Sequence, residues 1–215
     1  MDAKDEIRKE VNDRDIKILW HFTRLENVDS ILEYGLIPRN KLAAYQICPQ
    51  INDHHRYDGH LNATNISISF PNYKLFYFYR VNDPCSSWVL IGLSIDLLWK
   101  KECIFCIDNA ANQYIKNEYI KSKTGYYGFC RMFQDVEDWP RRTNLDIPPC
   151  YPTNPQAEVM VFDIIEPKFI AGLLLEDESI KKYLEKRIKG VKLISRPDYF
   201  GPRKDYKHWS SEFIG

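Results

Sequence analysis

This chain of 215 residues has no surplus of either charge: 30 Lys and Arg stand against 30 Asp and Glu. That excludes a basic coat for polyanions and an acidic tail, so any nucleic-acid partner has to be met by a local patch. There is no apolar run of the ~18 residues that a membrane-crossing helix needs. The opening residues, MDAKDEIRKE, are charged where a secretion signal would be apolar. A soluble, cytoplasmic protein is expected. A glycine-rich phosphate-binding fingerprint, internal repeats and Gly/Ser-rich linkers are also missing. With 44% hydrophobic residues the chain can bury one good core, and a single domain over residues 1–215 is the expected organisation.

Cysteine is present, but not in metal-binding pairs. Of the six, at 48, 85, 103, 106, 130 and 150, only Cys103 and Cys106 have CxxC spacing. A zinc site requires a second pair, and Cys130 and Cys150 are not spaced as one. The neighbours in KECIFCID are those of a buried strand, so reduced thiols and no metal are expected.

What is present is an irregular mixture of two periodicities. IKILWHF (16–22) reads as a strand and TRLENVDSILEYG (23–35) as a helix with both ends signalled. Thr23 and Glu26 form a capping box, Leu25, Val28 and Leu32 line one face, and Gly35 supplies the stop. From 40 to 65 periodicity fails and turn chemistry dominates, which predicts a long loop; in compact domains such loops are usually functional or disordered. ISISF (66–70) alternates as a strand should, and Pro71 suits the first turn of a helix carrying NYKLFYFYR. WVLIGLSI (88–95) and CIFCI (103–107) are further strands. A polar, aromatic and turn-rich stretch covers 108–155. EVMVFDII and FIAGLLLE follow as neighbouring strands, then a charged helix near 178–188, the strand VKLIS and an aromatic, basic tail. Without regular βαβ repetition, this order predicts an α+β fold.

Three features carry chemistry: HFT (21–23) at a strand-to-helix junction, the unit ISISFPNYKLFYFYR (66–80), and NPQAEV (154–159), where Glu158 stands at the mouth of an apolar strand. In this order they resemble the DarT-type ADP-ribosyltransferase toxins, which modify nucleobases in DNA. The resemblance spans roughly positions 18 to 170. It implies an ADP-ribosyltransferase-like fold of mixed or antiparallel central sheets with flanking helices. It further implies NAD as substrate, a nucleobase in single-stranded DNA as acceptor, and the role of toxin in a toxin–antitoxin or phage-defence system. The implied partner is an antitoxin that hydrolyses the modification, and a monomer is expected.

The residue types suit that chemistry. Breaking the nicotinamide–ribose bond passes through an oxocarbenium-like sugar, so a nearby carboxylate stabilises the developing charge and can hold a ribose hydroxyl; Glu158 fits. On a period-2 strand Glu158 shares a face with Met160 and Phe162, a low-polarity floor. Its bland alternative is a solvated strand-end glutamate. His21 ends the first strand beside a helix start, where an imidazole and amide groups can hold diphosphate-ribose; the alternative is a core histidine. Phe22 and Thr23 complete the triplet assigned to the cofactor, although the Thr23 hydroxyl serves equally as a cap. The resemblance adds Ser30 as a cofactor contact. Ser67 and Ser69 alternate toward one sheet face that can meet the cofactor, or pack against cross-strand neighbours, and Tyr73 is the candidate to stack on nicotinamide.

Arg56 lies in the loop HHRYDGH, and the resemblance implies that it approaches the target base and the NAD phosphate. Because a guanidinium stays protonated, the role expected is lowering the pKa of a base N–H by its field. His54, His55 and His60 of the same loop are alternatives. For the acceptor strand, aromatics interleave with basics in KTGYYGFCRMFQ (123–134), DWPRRTN (138–144) and RPDYFGPRKDYKHW (196–209), as a single-strand platform requires. Two other functions remain open at this point: a transferase acting on RNA or protein, which would keep the NAD site, and a non-enzymatic single-strand-binding module, which would not need Glu158.

Overall fold

The computed structural model describes residues 2–52 and 56–213; His54 and His55 lie outside the described residues. Among the described residues seven strands form one sheet: β1 (Leu19–Arg24), β2 (Ala63–Ile68), β3 (Trp88–Leu93), β4 (Cys103–Cys106), β5 (Glu158–Phe162), β6 (Ile170–Leu175) and β7 (Leu193–Ser195). Their spatial order is β4-β5-β2-β1-β3-β6-β7. Neighbours are antiparallel except β6 and β7, which run parallel.

The run WVLIGL of β3 is apolar at every position because both faces of the strand are covered. Val89, Ile91 and Leu93 pack with Ile7 and Val11 of helix α1 (Ala3–Asp13) and with Val28 and Ile31 of α2 (Val28–Tyr34). The alternate residues Trp88 and Leu90 join Trp20, Phe200 and Phe76, the last from α3 (Tyr73–Asn82). Helix α1 is the charged opening segment; its buried Ile7 and Val11 stand at i and i+4 on one face. Cys103 and Cys106 are both buried, and a three-residue step along β4 sends them to different clusters on opposite faces. Burial pushes each thiol up to about 12.

Several elements depart from the sequence reading. The first strand starts three residues later than the apolar run and continues to Arg24, because pairing with β3 extends through Arg24 and Trp88. Thr23 is therefore extended and is not a cap; its hydroxyl accepts from Asn27 Nδ2 at 2.9 Å, and the first helical turn begins at Leu25. Pro71 precedes α3, whose cap is Asn72, with Oδ1 accepting from Leu75 N at 3.2 Å. β2 spans 63–68, so Ser69 falls outside it with φ +60°. β5 and β6 are neighbours in sequence only: β2, β1 and β3 lie between them. The 40–65 segment holds a 3₁₀ turn at Arg39–Tyr45, and the 108–155 stretch contains short helices at Gln113–Asn117, Gly125–Arg131 and Arg142–Leu145.

Gly35 ends α2 as expected, at φ +86°. A Cβ there would sit 2.1 Å from the Ile165 carbonyl oxygen, beside the Leu36–Ile165 bridge that ties α2 to the end of β5. Gly35→Ala is expected to destabilise the fold by roughly 1–3 kcal/mol, seen as a lower midpoint in denaturant unfolding.

Candidate active site

The ladder between β1 and β2 consists of two pairs, Leu19 with Ile68 and Trp20 with Ser67. Beyond Trp20, β1 follows β3, whereas β2 stays on β5 through Ile66, Asn65, Thr64 and Ala63. The sheet splits, and a cleft of about 590 Å³ opens there, within the range of small-molecule sites. His21 spans the split: Nδ1 donates to the Asn65 carbonyl at 3.0 Å. A carbonyl can only accept, so the proton is on Nδ1. Burial, helped by the Arg56 charge, lowers the His21 pKa. The imidazole is therefore neutral at pH 7, with Nε2 a bare acceptor.

Glu158 lines the same cleft and is 3% exposed. Its carboxylate is not solvated, which sets aside the bland reading, and it is surrounded by donors. Oε2 accepts from Ala110 N at 3.0 Å and Asn65 Nδ2 at 3.3 Å; Oε1 accepts from Asn72 Nδ2 at 3.2 Å and Asn109 Nδ2 at 3.5 Å. Desolvation dominates these hydrogen bonds and, with Asp58 and Asp108 adding repulsion, pushes the carboxyl from 4.5 up to about 7. Sequence reasoning found Glu158 but missed its four donors. Only Asn72, the residue between Pro71 and an apolar helix, carried a local signal, that of an N-cap.

The other expected residues divide. Phe22, Thr23, Ser30, Ser67 and Arg56 line the cleft with His21 and Glu158. Most are also structurally committed: Phe22 stacks on Phe76 at 4.9 Å, the Ser30 hydroxyl donates to Asn27 O at 3.0 Å, and Ser67 Oγ accepts from Asn72 N at 3.0 Å. Arg56 ion-pairs with Asp58 at 3.2 Å and donates to the carbonyls of Ala63, at 3.0 Å, and His60. Ser69 and Tyr73 are not among the cleft residues. The chain leaves β2 before Ser69, whose carbonyl accepts from Trp20 Nε1 at 3.0 Å. Tyr73 is buried at the start of α3, and that helix presents Leu75, Phe78 and Tyr79, at i, i+3 and i+4, to the cleft. Asn27, also missed, exchanges two hydrogen bonds with the Gln50 backbone, of 2.9 and 2.8 Å, and so holds the 49–52 wall of the cleft against β1.

The three aromatic and basic segments are largely structural. Phe129, Phe133, Phe200 and Trp209 are core residues, and Arg203 is 2% exposed and paired with Asp205. They are needed where rings and cations hold the chain to itself. Tyr206 with Lys204 and Lys207 is exposed within the last of the three segments; outside them, exposed aromatics with exposed lysines occur at Tyr114, Lys116, Tyr119 and Lys121, just after the Asn109–Ala110 turn that touches Glu158.

The sequence profile described as ssDNA thymidine ADP-ribosyltransferase, DarT, matches residues 20–207. The chain belongs to the DarT family. Solved structures of similar fold include Thermosipho africanus DarTG in complex with ADP-ribose, at 15% identity and TM-score 0.61 over 86% of this chain. Thermus sp. 2.9 DarT in complex with carba-NAD+ matches at 12% identity and TM-score 0.58, covering 87% of this chain and 99% of that one. The same DarT in complex with ADP-ribosylated ssDNA matches at 10% identity and TM-score 0.54, covering 87% and 97%. The chain spans 51% of the Thermosipho chain's length. No curated protein matches it in sequence. The α+β sheet described above is thus the DarT fold. No helix among the described residues is long and apolar enough to cross a membrane.

Proposed function

We propose that this chain takes NAD into the cleft at the sheet split and transfers its ADP-ribose to a thymidine base in single-stranded DNA. The observation that carries the reading is Glu158: a carboxyl buried under the cleft, gripped by four donors and poised near neutrality. Ionised, it stabilises positive charge developing on the sugar as the bond from C1′ to nicotinamide breaks and its electron pair leaves with nicotinamide. The imide nitrogen of thymine then bonds to C1′ and gives up its proton, ultimately to solvent. The Arg56 charge favours that loss by stabilising the anionic base. His21 Nε2 accepts from a ribose hydroxyl, with Thr23 and Ser30 behind it shaping the cleft. Phe78 and Tyr79, rather than Tyr73, offer rings to nicotinamide.

A base in a duplex would have to be extruded to reach C1′, which favours an unpaired strand. Tyr114 and Tyr119, with Lys116 and Lys121, give that strand rings for bases and cations for phosphates on the segment that follows the Asn109–Ala110 turn held to Glu158. We assign the described residues to one ADP-ribosyltransferase domain that acts as a monomer in the cytoplasm, as a toxin. Its counterpart is an antitoxin that hydrolyses the ADP-ribose from DNA; the likeness to a DarTG chain of which the match covers 51% supports that pairing.

Titration calorimetry with carba-NAD+ tests the cleft. Saturable binding is expected, and His21→Ala should weaken it by about 1–3 kcal/mol through loss of an acceptor for a buried hydroxyl. No saturation at millimolar ligand would refute the NAD reading; undiminished affinity in the variant would return His21 to a purely structural role.

A further inference from the structure

We infer that Asn65 is a sugar-binding residue: its side-chain carbonyl accepts a hydrogen bond from a hydroxyl of the nicotinamide-side ribose, beside the hydroxyl taken by His21. This rests on the ADP-ribosyltransferase reading and adds to it a residue that no motif in the sequence marks. The amide orientation is fixed by its surroundings. Nδ2 donates to Asp58 Oδ2 at 3.1 Å and to Glu158 Oε2 at 3.3 Å, and carboxylates need donors. The opposite atom, Oδ1, is buried and accepts from no partner among the described residues, although Asn65 lines the cleft. A buried acceptor left unsatisfied is destabilising, and a ligand that brings a donor removes that penalty.

The chemistry of the ligand follows from what surrounds that atom. Asn65 also supplies, through its backbone carbonyl, the acceptor that fixes the proton of His21 on Nδ1. One residue of β2 thus sets up two bare acceptors at the split: its own Oδ1 and, across the gap, His21 Nε2. Two bare acceptors have no proton to offer a phosphate and suit two hydroxyl donors, as on the vicinal diol of a ribose. Because the same amide holds Glu158 through Nδ2, a sugar seated on Oδ1 is fixed relative to the carboxylate that faces its reacting carbon.

The test compares binding of carba-NAD+ with its two deoxy forms, each lacking one hydroxyl on the nicotinamide-side ring. Wild-type protein is expected to bind each deoxy form about tenfold more weakly than the parent. Asn65→Ala should bind the parent about tenfold more weakly and lose the discrimination for one deoxy form while keeping it for the other. His21→Ala should show the converse. Circular dichroism confirms that the variants are folded. Asn65→Gln, which keeps the amide donors but shifts the carbonyl by one methylene, is expected to lose the same discrimination and serves if the alanine variant does not fold. Equal affinity of the wild type for all three ligands, or full discrimination in a folded Asn65→Ala, would overturn the inference and leave the NAD site standing. Failure of the wild type to bind carba-NAD+ would overturn both.

Discussion

Glu158→Gln is expected to cut ADP-ribose transfer by roughly 10²–10³ or more, the loss typical of removing one preorganised electrostatic partner of a transition state. Gln keeps the shape and the Ala110 contact but not the charge. Affinity for carba-NAD+ should change far less, since the ground-state ring bears little positive charge. In the wild type kcat/KM should fall on the acid side with a midpoint near pH 7, because the free enzyme must lose the Glu158 proton and burial has raised that pKa to about 7. The same shift makes a stability prediction of definite sign. Between 4.5, the ordinary value, and about 7 the folded state keeps a proton that the unfolded chain has released. Stability therefore drops as pH rises through that window, and above it the full penalty is present. Gln does not titrate, so the variant should match the wild type near pH 4 and exceed it by about 3 kcal/mol at pH 8. A rate within tenfold of wild type in a folded variant would remove Glu158 from the chemistry.

Arg203→Ala is expected to destabilise the protein by about 3–5 kcal/mol, the cost of stranding a buried charge. Arg203 and Asp205 are each 2% exposed and joined by two hydrogen bonds, of 2.6 and 2.5 Å. The guanidinium also donates to the carbonyls of Pro152 and Thr153, both at 2.8 Å, while Trp209 Nε1 donates to Asp205 at 2.9 Å. This cluster clamps the C-terminal segment onto the stretch leading into Glu158. Replacing both partners, as Arg203→Met with Asp205→Leu, should cost less than the single change, because no charge is stranded and only the neutral Pro152, Thr153 and Trp209 groups lose partners. Denaturant midpoints measure all three proteins. Were Arg203 a phosphate contact, its loss would instead weaken DNA binding and flatten its salt dependence while leaving the midpoint unchanged.

The contrast between these two residues shows how far the sequence could be read. Glu158 was legible because a carboxylate before an apolar period-2 run is locally anomalous and because its order after HFT and the serine strand resembles a known family; the anomaly alone left a solvated strand-end glutamate open. WVLIGL was legible as a strand for the same local reason. The split between β1 and β2 was not: it depends on which strands pair and for how long, and two ladder pairs leave no periodic trace. Asn65, Asn72 and Asn109 look like ordinary turn or strand polar residues until the chain brings them to Glu158 from three segments. Arg203, in RPDYFGPRKDYKHW, had the composition of a nucleic-acid surface, but composition does not tell whether a cation faces solvent or a buried carboxylate. Ser69 was misplaced by a single residue, since a strand that ends at Ile68 no longer alternates.

Mass spectrometry of short oligonucleotides after incubation with NAD and the protein identifies the acceptor. A single-stranded DNA containing one thymidine should gain one ADP-ribose. The same strand without thymidine, its annealed duplex, and the reaction with Glu158→Gln should each show little or none. An unmodified thymidine strand in the presence of folded, NAD-binding protein would contradict the account, and modification confined to RNA or to protein would move the activity to a different acceptor.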